Sequence, residues 1–305
     1  MLHLLLAALL LAQHMRNVDC GPIEEAKKAL KEDWFIRALH YMQENPETLE
    51  ELMTKDYVLS EGDMVLSSDR NAVESIWPTR EIPYNISEDL VDRTDEILSA
   101  MTMVSEPTCV SFHQRTSETN YLLFKTSKGC ASYVGFIGGE QPVFVGPTCV
   151  VGNIAHEILH ALGFHHEHTR TDREEYITVL THNIMQGMEN NFQMRDGETF
   201  GLPYDITSIL HYGSGFFSAN GQPTIVPNAD VEEMGQRVRL TKTDIQKVQC
   251  LYSCGLPELP EPPEREEERE EDSHIHRNIF RHLFFDKKLK QDQTTVTSCS
   301  SKHLQ

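Results

Sequence analysis

Fifteen residues beginning at His156, HEILHALGFHHEHTR, contain five histidines and could bind a metal ion. On a helix, residues four apart lie on the same face, so His156 and His160 can bind one ion together. Glu157 lies beside the first of them, where its carboxylate can contact a metal-bound water without being a ligand. The pattern predicts a metal site with a general base next to it.

Gly163 explains how a third histidine could reach the same ion. Glycine tolerates the left-handed conformation that ends a helix, so the chain can turn and bring His166 back as a ligand. Three neutral imidazoles leave the fourth position of a zinc ion to water, which is the arrangement of a catalytic zinc. We therefore expect one Zn²⁺ per chain, with Glu157 as the general base that takes the proton from the zinc-bound water. For the two other histidines of the stretch, His165 and His168, a place on the surface or packing in the core is expected instead.

A helix and a sheet must position these residues. Residues 151 to 164 have helical spacing, with Asn153 as the candidate cap and Gly163 as the candidate stop. Four short β-rich runs precede this helix, with turn residues between them: CVSFH, YLLF, SYVGFI and PVFVG. The sequence thus predicts an α+β fold in which a small sheet precedes the histidine-bearing helix.

The two ends of the chain differ from its middle in composition. The opening residues, MLHLLLAALLLAQ, are too short an apolar run to span a bilayer and are typical of a secretory signal peptide, predicted for residues 1–14. A buried N-terminal helix is the alternative. No later segment is apolar enough to be a membrane anchor, so we expect a secreted, extracellular protein.

Residues 255–305 combine proline with a dense acidic run and are predicted to form a disordered acidic and basic tail.

Charge and cysteine content narrow the function classes. A formal net charge of −20 argues against nucleic acid or an anionic membrane surface as the main partner. Seven cysteines without a CxxC pair favour disulfides over thiolate metal ligands in a secreted chain. An odd count leaves at least one of them without a partner in the same chain.

Further blocks surround the histidines in a recognisable order: GCASYVGFIGGEQPV, NIMQGMENNF, LPYDITSILHYG, TIVP and LYSC. Together with HEILHALGFHHEHTRTDRE they resemble the astacin family of zinc endopeptidases, within the metzincins, over about residues 60 to 254. The finer pattern looks most like the fish hatching-enzyme and nephrosin group. The resemblance implies a metzincin-like protease of two subdomains over residues 71–254, with a small mixed sheet and a zinc-binding active-site helix. It also implies a monomer that acts on protein or peptide substrates.

The resemblance assigns roles to residues outside the histidine stretch. Tyr212 matches the tyrosine that ligates zinc at rest and swings away to donate a hydrogen bond to the tetrahedral oxyanion. Asp63 matches a propeptide aspartate that occupies the zinc and keeps the zymogen inactive. Glu167 matches the residue that pairs with the mature amino terminus. This implies a propeptide over residues 15–70 and an activating protease that cuts after Arg70, so that Asn71 begins the active enzyme.

The resemblance further implies two disulfides, Cys109 with Cys254 and Cys130 with Cys149. Three cysteines stay unassigned: Cys20, Cys250 and Cys299. Cys250 is close enough to Cys254 to be its rival as the partner of Cys109. Asn85, in the triplet NIS, is a candidate glycosylation site.

The chain also departs from the family pattern. Leu210 stands where metzincins carry a methionine below the zinc, and Ala131 stands where astacins usually have tryptophan. Leucine nearly conserves the volume of methionine, so we expect a modest packing effect. In the segment GGEQPVFVG, the family places an edge strand that pairs with an extended substrate. Rival hypotheses are a non-catalytic peptide-binding protein with the same fold and a purely structural zinc site.

Overall fold

The computed structural model describes residues 59–65, 76–230 and 233–255. Outside these ranges lie the predicted signal peptide, most of the predicted propeptide, the expected cut between Arg70 and Asn71, and the predicted tail after Gly255. Cys20 and Cys299 also lie outside them. No helix in the described part of the chain is long and apolar enough to cross a membrane.

A mixed sheet forms the first half of the described structure. In chain order its strands are β1 (Leu59–Ser60), β2 (Met64–Val65), β3 (Glu81–Ile86), β4 (Ser111–Gln114), β5 (Tyr121–Thr126), β6 (Ala131–Tyr133) and β7 (Glu140–Val145). Across the sheet they are arranged β1-β2-β6-β7-β5-β3-β4. Strand β6 runs antiparallel to β7 and parallel to β2, while β3, β4, β5 and β7 run parallel to one another. A separate pair consists of β8 (Ile177–Val179) and β9 (Ile225–Pro227).

The segment GGEQPVFVG, which we expected at the edge of the sheet, lies inside it. It forms β7, which pairs with β5 on one side and with β6 on the other. Its residues are buried from Gln141 to Val145, as in a strand that is covered on both faces. The expectation was therefore wrong. The strand next to the cleft is β6, and it pairs with β2 of the predicted propeptide.

Within the described residues, three α-helices accompany the sheet: α1 (Thr94–Ser105), α2 (Val151–Ala161) and α3 (Lys242–Leu251). Helix α1 buries Ile97, Ala100, Met101 and Val104, whose spacing places them on one face. Helix α3 begins with reciprocal caps. The Thr241 hydroxyl accepts the Asp244 N–H at 3.1 Å, and the Asp244 carboxylate accepts the Thr241 N–H at 2.9 Å.

Helix α2 is buried from Gly152 to Ala161. A Cβ at Gly152 would lie 1.8 Å from the carbonyl oxygen of Arg237, so only glycine permits this approach. The prediction that Asn153 is the N-cap was wrong. Asn153 is the third residue of the helix, and its side-chain oxygen accepts the N–H of Val150 at 2.9 Å, because an amide at this position can bond back to the cap residue. Gly163 has a φ of +113°, the conformation expected of a helix stop.

Two large hydrophobic clusters contain most of the buried apolar residues in the described ranges. One joins the sheet to α1 and α2, with Ile158 and Leu210 among its members. The other lies around Ile177, Phe192 and Tyr212. The packing of sheet and helices confirms the α+β fold, and the buried apolar residues of α2 belong to the first cluster.

Two disulfides tie these elements together. Cys130 at the start of β6 bonds Cys149 just before α2, and Cys109 after α1 bonds Cys254 after α3. These are the pairs that the astacin resemblance implies. Cys250 is also disulfide-bonded, but Cys109 bonds Cys254 and not its rival Cys250. Asn85 lies half-buried in β3, and its glycosylation stays a prediction.

Candidate metal centre

Helix α2 aims two histidines at one point. The Nδ1 atom of His156 donates a hydrogen bond to the carbonyl of Ile209, and that of His160 donates to the carbonyl of Phe164, each at 2.7 Å. These bonds fix both rings, so that their Nε2 atoms face each other at 2.9 Å. Both side chains are fully buried. Such outer hydrogen bonds are typical of histidines that bind a metal.

The turn at Gly163 brings His166 to the same point. Its ring centre lies 4.6 Å from that of His160 and 5.2 Å from that of His156. The Nδ1 atom of His166 bonds a carboxylate oxygen of Glu61 at 2.8 Å. All three imidazoles therefore present Nε2 to a common centre.

Asp63 from the predicted propeptide supplies a fourth donor. Its carboxylate lies 3.2 Å from Nε2 of His156 and 3.3 Å from Nε2 of His166, and it is fully buried. Burial raises the pKa of this carboxyl. The charge interaction with His166 and the hydrogen bonds from His156 and His166 lower the pKa by more, so it lies well below the ordinary value. Asp63 is thus held ionised, the form in which a carboxylate binds a metal.

These four residues fit a zinc ion. One donor atom from each of Asp63, His156, His160 and His166 lies within 4.8 Å of the others. The Oδ1 atom of Asp63 is buried without a hydrogen-bond partner, as expected of an atom that faces a cation. Three imidazoles and one carboxylate are ligands that zinc accepts in a tetrahedral set.

Glu157 and Tyr212 lie beside this centre. Glu157 follows the first ligand on α2 and is fully buried. The hydroxyl of Tyr212 donates a hydrogen bond to the backbone carbonyl of Glu61, and its ring centre lies 4.7 Å from that of His166. His168 is buried as well and stacks on the Tyr212 ring at 3.7 Å. In this form of the protein the tyrosine hydroxyl is therefore turned toward the propeptide.

Glu167 lies on the other side of His166, at a cavity of about 650 Å³. Its buried carboxylate forms an ion pair with Lys247, contacts Arg170 at 3.2 Å and accepts the Asp205 N–H at 2.9 Å. Ile76 lines the same cavity. Asn71, the expected partner of Glu167, lies outside the described residues.

The two departures from the family pattern are accommodated by packing. Leu210 is buried in the larger hydrophobic cluster, and its carbonyl accepts the N–H of Glu167 at 3.0 Å. Ala131 is fully buried in β6 and packs with Val65 and Phe144.

Sequence reasoning missed three charged residues around the centre. Glu61 forms an ion pair with Arg195 and bonds His166, and Lys247 pairs with Glu167. The tripeptide EGD already contained Glu61 beside Asp63, but nothing local marked its partners, which are far away in the sequence.

Comparison with known proteins identifies the family. Residues 69–253 match the family model described as astacin, peptidase family M12A. The chain belongs to the astacin family. It is therefore a zinc metalloendopeptidase with the α+β metzincin fold, as the sequence blocks indicated.

Individual astacins match at moderate identity. Zinc metalloproteinase nas-4 of Caenorhabditis elegans is 38% identical over 217 residues, which are 64% of this chain and 69% of that protein. Low choriolytic enzyme of Oryzias latipes is 34% identical over 269 residues, 81% of this chain and 96% of that protein. Among solved structures, high choriolytic enzyme 1, a hatching-enzyme zinc protease of the same fish, superposes with a TM-score of 0.57 at 32% identity. This match covers 63% of this chain and 100% of that structure.

Proposed function

We propose that this astacin is a secreted zymogen whose mature form cuts peptide bonds in extracellular proteins. The observation that supports the proposal most strongly is the position of Asp63. A carboxylate from the segment before the catalytic domain lies among the three histidines. In that position it would keep the scissile carbonyl of a substrate away from the metal ion. We further propose a signal peptide over residues 1–14, a propeptide over 15–70, a catalytic domain over 71–254 and a tail over 255–305.

In the mature enzyme His156, His160 and His166 would hold one zinc ion per chain. A bound zinc supplies Lewis acidity and makes water a nucleophile near neutral pH. Glu157 accepts the proton of the attacking water on its carboxylate and passes it to the nitrogen of the leaving amine. Its complete burial beside the first ligand supports this role, because a buried carboxylate there is held close to the water that the ion would bind.

Tyr212 would stabilise the transition state. Its hydroxyl bonds the carbonyl of Glu61 while the propeptide is in place, so it already points at a peptide oxygen in the cleft. Once the propeptide has left, the same hydroxyl can donate to the oxyanion that forms on the scissile carbonyl.

Activation would follow from a cut after Arg70. Asn71 then becomes an amino terminus five residues ahead of Ile76, and five extended residues span roughly 17 Å. Ile76 lines the same cavity as Glu167, so the new ammonium group has a route to that carboxylate. The cut also separates Asp63 from the catalytic domain, which allows a substrate to replace it.

Hydrolysis of casein tests this proposal. The chain cut after Arg70 should degrade casein, and both chelation of zinc and the substitution Glu157→Ala should abolish the activity. The Glu157→Ala chain should retain its zinc, because Glu157 is not a ligand. A cut, folded and zinc-loaded chain without activity would contradict the proposal and would favour a peptide-binding protein.

A further inference from the structure

Strand β2 of the predicted propeptide pairs with β6, and the register of this pair places Val65 on a defined face of the sheet. Val65 is the Cα partner of Tyr133, and Ala131 is the partner of Phe144 on β7. Paired residues lie on the same face of a sheet, and so do residues two apart along one strand. Four side chains therefore share one face: Val65, Ala131, Tyr133 and Phe144.

These four side chains form a small hydrophobic cluster of their own. Val65, Ala131 and Phe144 are buried in it, and Tyr133 packs against them. Val143, which precedes Phe144 on β7 and points to the opposite face, belongs to the large cluster that joins the sheet to α1 and α2. The small cluster therefore lies on the face of the sheet that is turned away from these helices, and one of its members comes from the propeptide.

Ala131 provides the space in which Val65 lies. Because Val65 is opposite Tyr133, Ala131 is its diagonal neighbour on the same face, at a distance that an aromatic side chain can bridge. A large side chain at this position, such as the tryptophan of the family pattern, would therefore reach Val65, whereas alanine ends at its Cβ. Val65 is only 3% exposed beside this alanine. The small residue thus leaves an apolar site next to β6, which the propeptide fills with valine.

We propose that the site under Val65 is a substrate subsite, which takes a leucine-sized apolar side chain in the mature enzyme. The inference rests on the proposed function, because β2 must leave with the propeptide before a substrate can bind. Among the described strands only β1 and β2 lie beyond β6, so β6 then becomes the edge of the sheet. An extended peptide that pairs with this edge directs alternate side chains at the face that carries Ala131 and Phe144.

The propeptide indicates where the apolar residue must stand. Val65 is two residues from Asp63, whose carboxylate lies among the histidines. A strand advances by about 3.3 Å per residue, so the apolar residue of a substrate should lie within about three residues of the scissile bond.

A peptide series tests the subsite. A single Leu is moved through the three positions on each side of one scissile bond in an otherwise polar, uncharged peptide, with Ala at the same position as reference. At one position the mature enzyme should cleave the Leu peptide with a kcat/KM about tenfold or more above that of the Ala peptide. This ratio should fall toward one in Ala131→Trp, because the indole occupies the site, and Ala131→Val should give an intermediate ratio. It should stay unchanged in Ser111→Trp, which adds the same side chain at an exposed position of β4, at the opposite edge of the sheet.

Binding gives a second reading that does not depend on hydrolysis. Dissociation constants are measured by calorimetry on the zinc-loaded, cut Glu157→Ala chain from which the propeptide has been removed. The Leu peptide should bind about tenfold more tightly than the Ala peptide, and the substitution Val65→Ala should weaken binding of a peptide of residues 57–70 about tenfold. These measurements need no change at Ala131, so they decide on the subsite even if Ala131→Trp does not fold.

The outcomes separate this inference from the proposed function. If casein and all peptides stay intact, the proposed function fails, and the binding measurements still decide on the subsite. Equal affinities for the Leu and Ala peptides at every position, or an unchanged affinity of the Val65→Ala peptide, would overturn the inference. A Leu preference of full size in a folded Ala131→Trp chain would overturn it as well.

Discussion

At the scale of single residues, the site contains metal ligands that the spacing in the sequence predicts. It also contains ion-pair and hydrogen-bond partners that only the folded structure brings close to them. Helical periodicity and the stop at Gly163 are local properties, and they were sufficient to predict that His156, His160 and His166 converge. Glu61 and Arg195 are 134 residues apart, so their ion pair depends on how the propeptide enters the cleft. No sequence spacing contains that information.

Removing the Tyr212 hydroxyl should slow catalysis without removing the metal. Tyr212→Phe keeps the ring that stacks on His168 but loses the donor to the oxyanion, so kcat should fall about 10²- to 10³-fold. Zinc content should be unchanged, because three histidines still bind the ion. Steady-state kinetics with zinc analysis checks both points. Tyr121→Phe, which loses a hydroxyl bonded to the exposed Glu140, serves as the control, and an equal loss in both variants would argue against a role in the transition state.

The carboxylate of Glu61 should increase the affinity of the propeptide for the active-site cleft. A peptide of residues 57–70 should inhibit the mature enzyme. The substitution Glu61→Gln in this peptide should raise the inhibition constant about tenfold to a hundredfold, because Glu61 no longer contributes a charged acceptor to its two hydrogen bonds. An Asp69→Asn peptide, which carries the same change of charge outside the tripeptide EGD, serves as the control. Equal inhibition by the three peptides would contradict the importance of the Glu61 contacts.

At the scale of elements, the positions of the strands and of the active-site helix were predictable, and their arrangement was not. Each strand from β4 to β7 overlaps an apolar run that the sequence shows directly. The place of β7 inside the sheet depends on pairing with β5 and β6, which is not a local property. Helix α2 does begin at Val151, as the spacing predicted, and only its cap was misassigned, because Asn153 is the third residue of the helix and bonds back to the N–H of Val150.

Packing at the first turn of α2 should be intolerant of a methyl group. In Gly152→Ala the added Cβ would overlap the carbonyl oxygen of Arg237, so we expect unfolding to become easier by about 3 kcal/mol, together with weaker zinc binding. Gly197→Ala is a suitable control, because a Cβ added there would meet no neighbouring atom within 4 Å and its φ is not in the left-handed region. Urea unfolding of both variants measures the difference. Equal stability of the two would show that α2 can shift away from Arg237 at little cost.

At the scale of the whole molecule, buried histidines should make stability depend on pH. Burial lowers the pKa of His211 to about 4, although its hydrogen bond to the carbonyl of Tyr212 opposes this shift. The unfolded chain binds a proton at this side chain below about pH 6.5, and the folded chain does so only near pH 4. Stability should therefore fall as the pH decreases through this window, by up to about 3 kcal/mol from His211.

Urea unfolding at about pH 7 and about pH 5 checks this expectation. His211→Gln lacks the titrating group, so its stability should change less between the two pH values than that of the unsubstituted chain. The other buried histidines titrate in both chains and cancel from the comparison. An identical pH dependence would show that His211 does not contribute to it.

The central claim is that one zinc ion is held by the three histidines and blocked by Asp63 before the cut after Arg70. Anomalous X-ray diffraction at the zinc edge, from crystals of the uncut, zinc-loaded chain, tests it most directly. We expect one strong peak per chain, within about 2.0–2.2 Å of Nε2 of His156, His160 and His166 and of a carboxylate oxygen of Asp63. A zinc ion bound elsewhere, or a centre from which Asp63 is absent, would contradict the account.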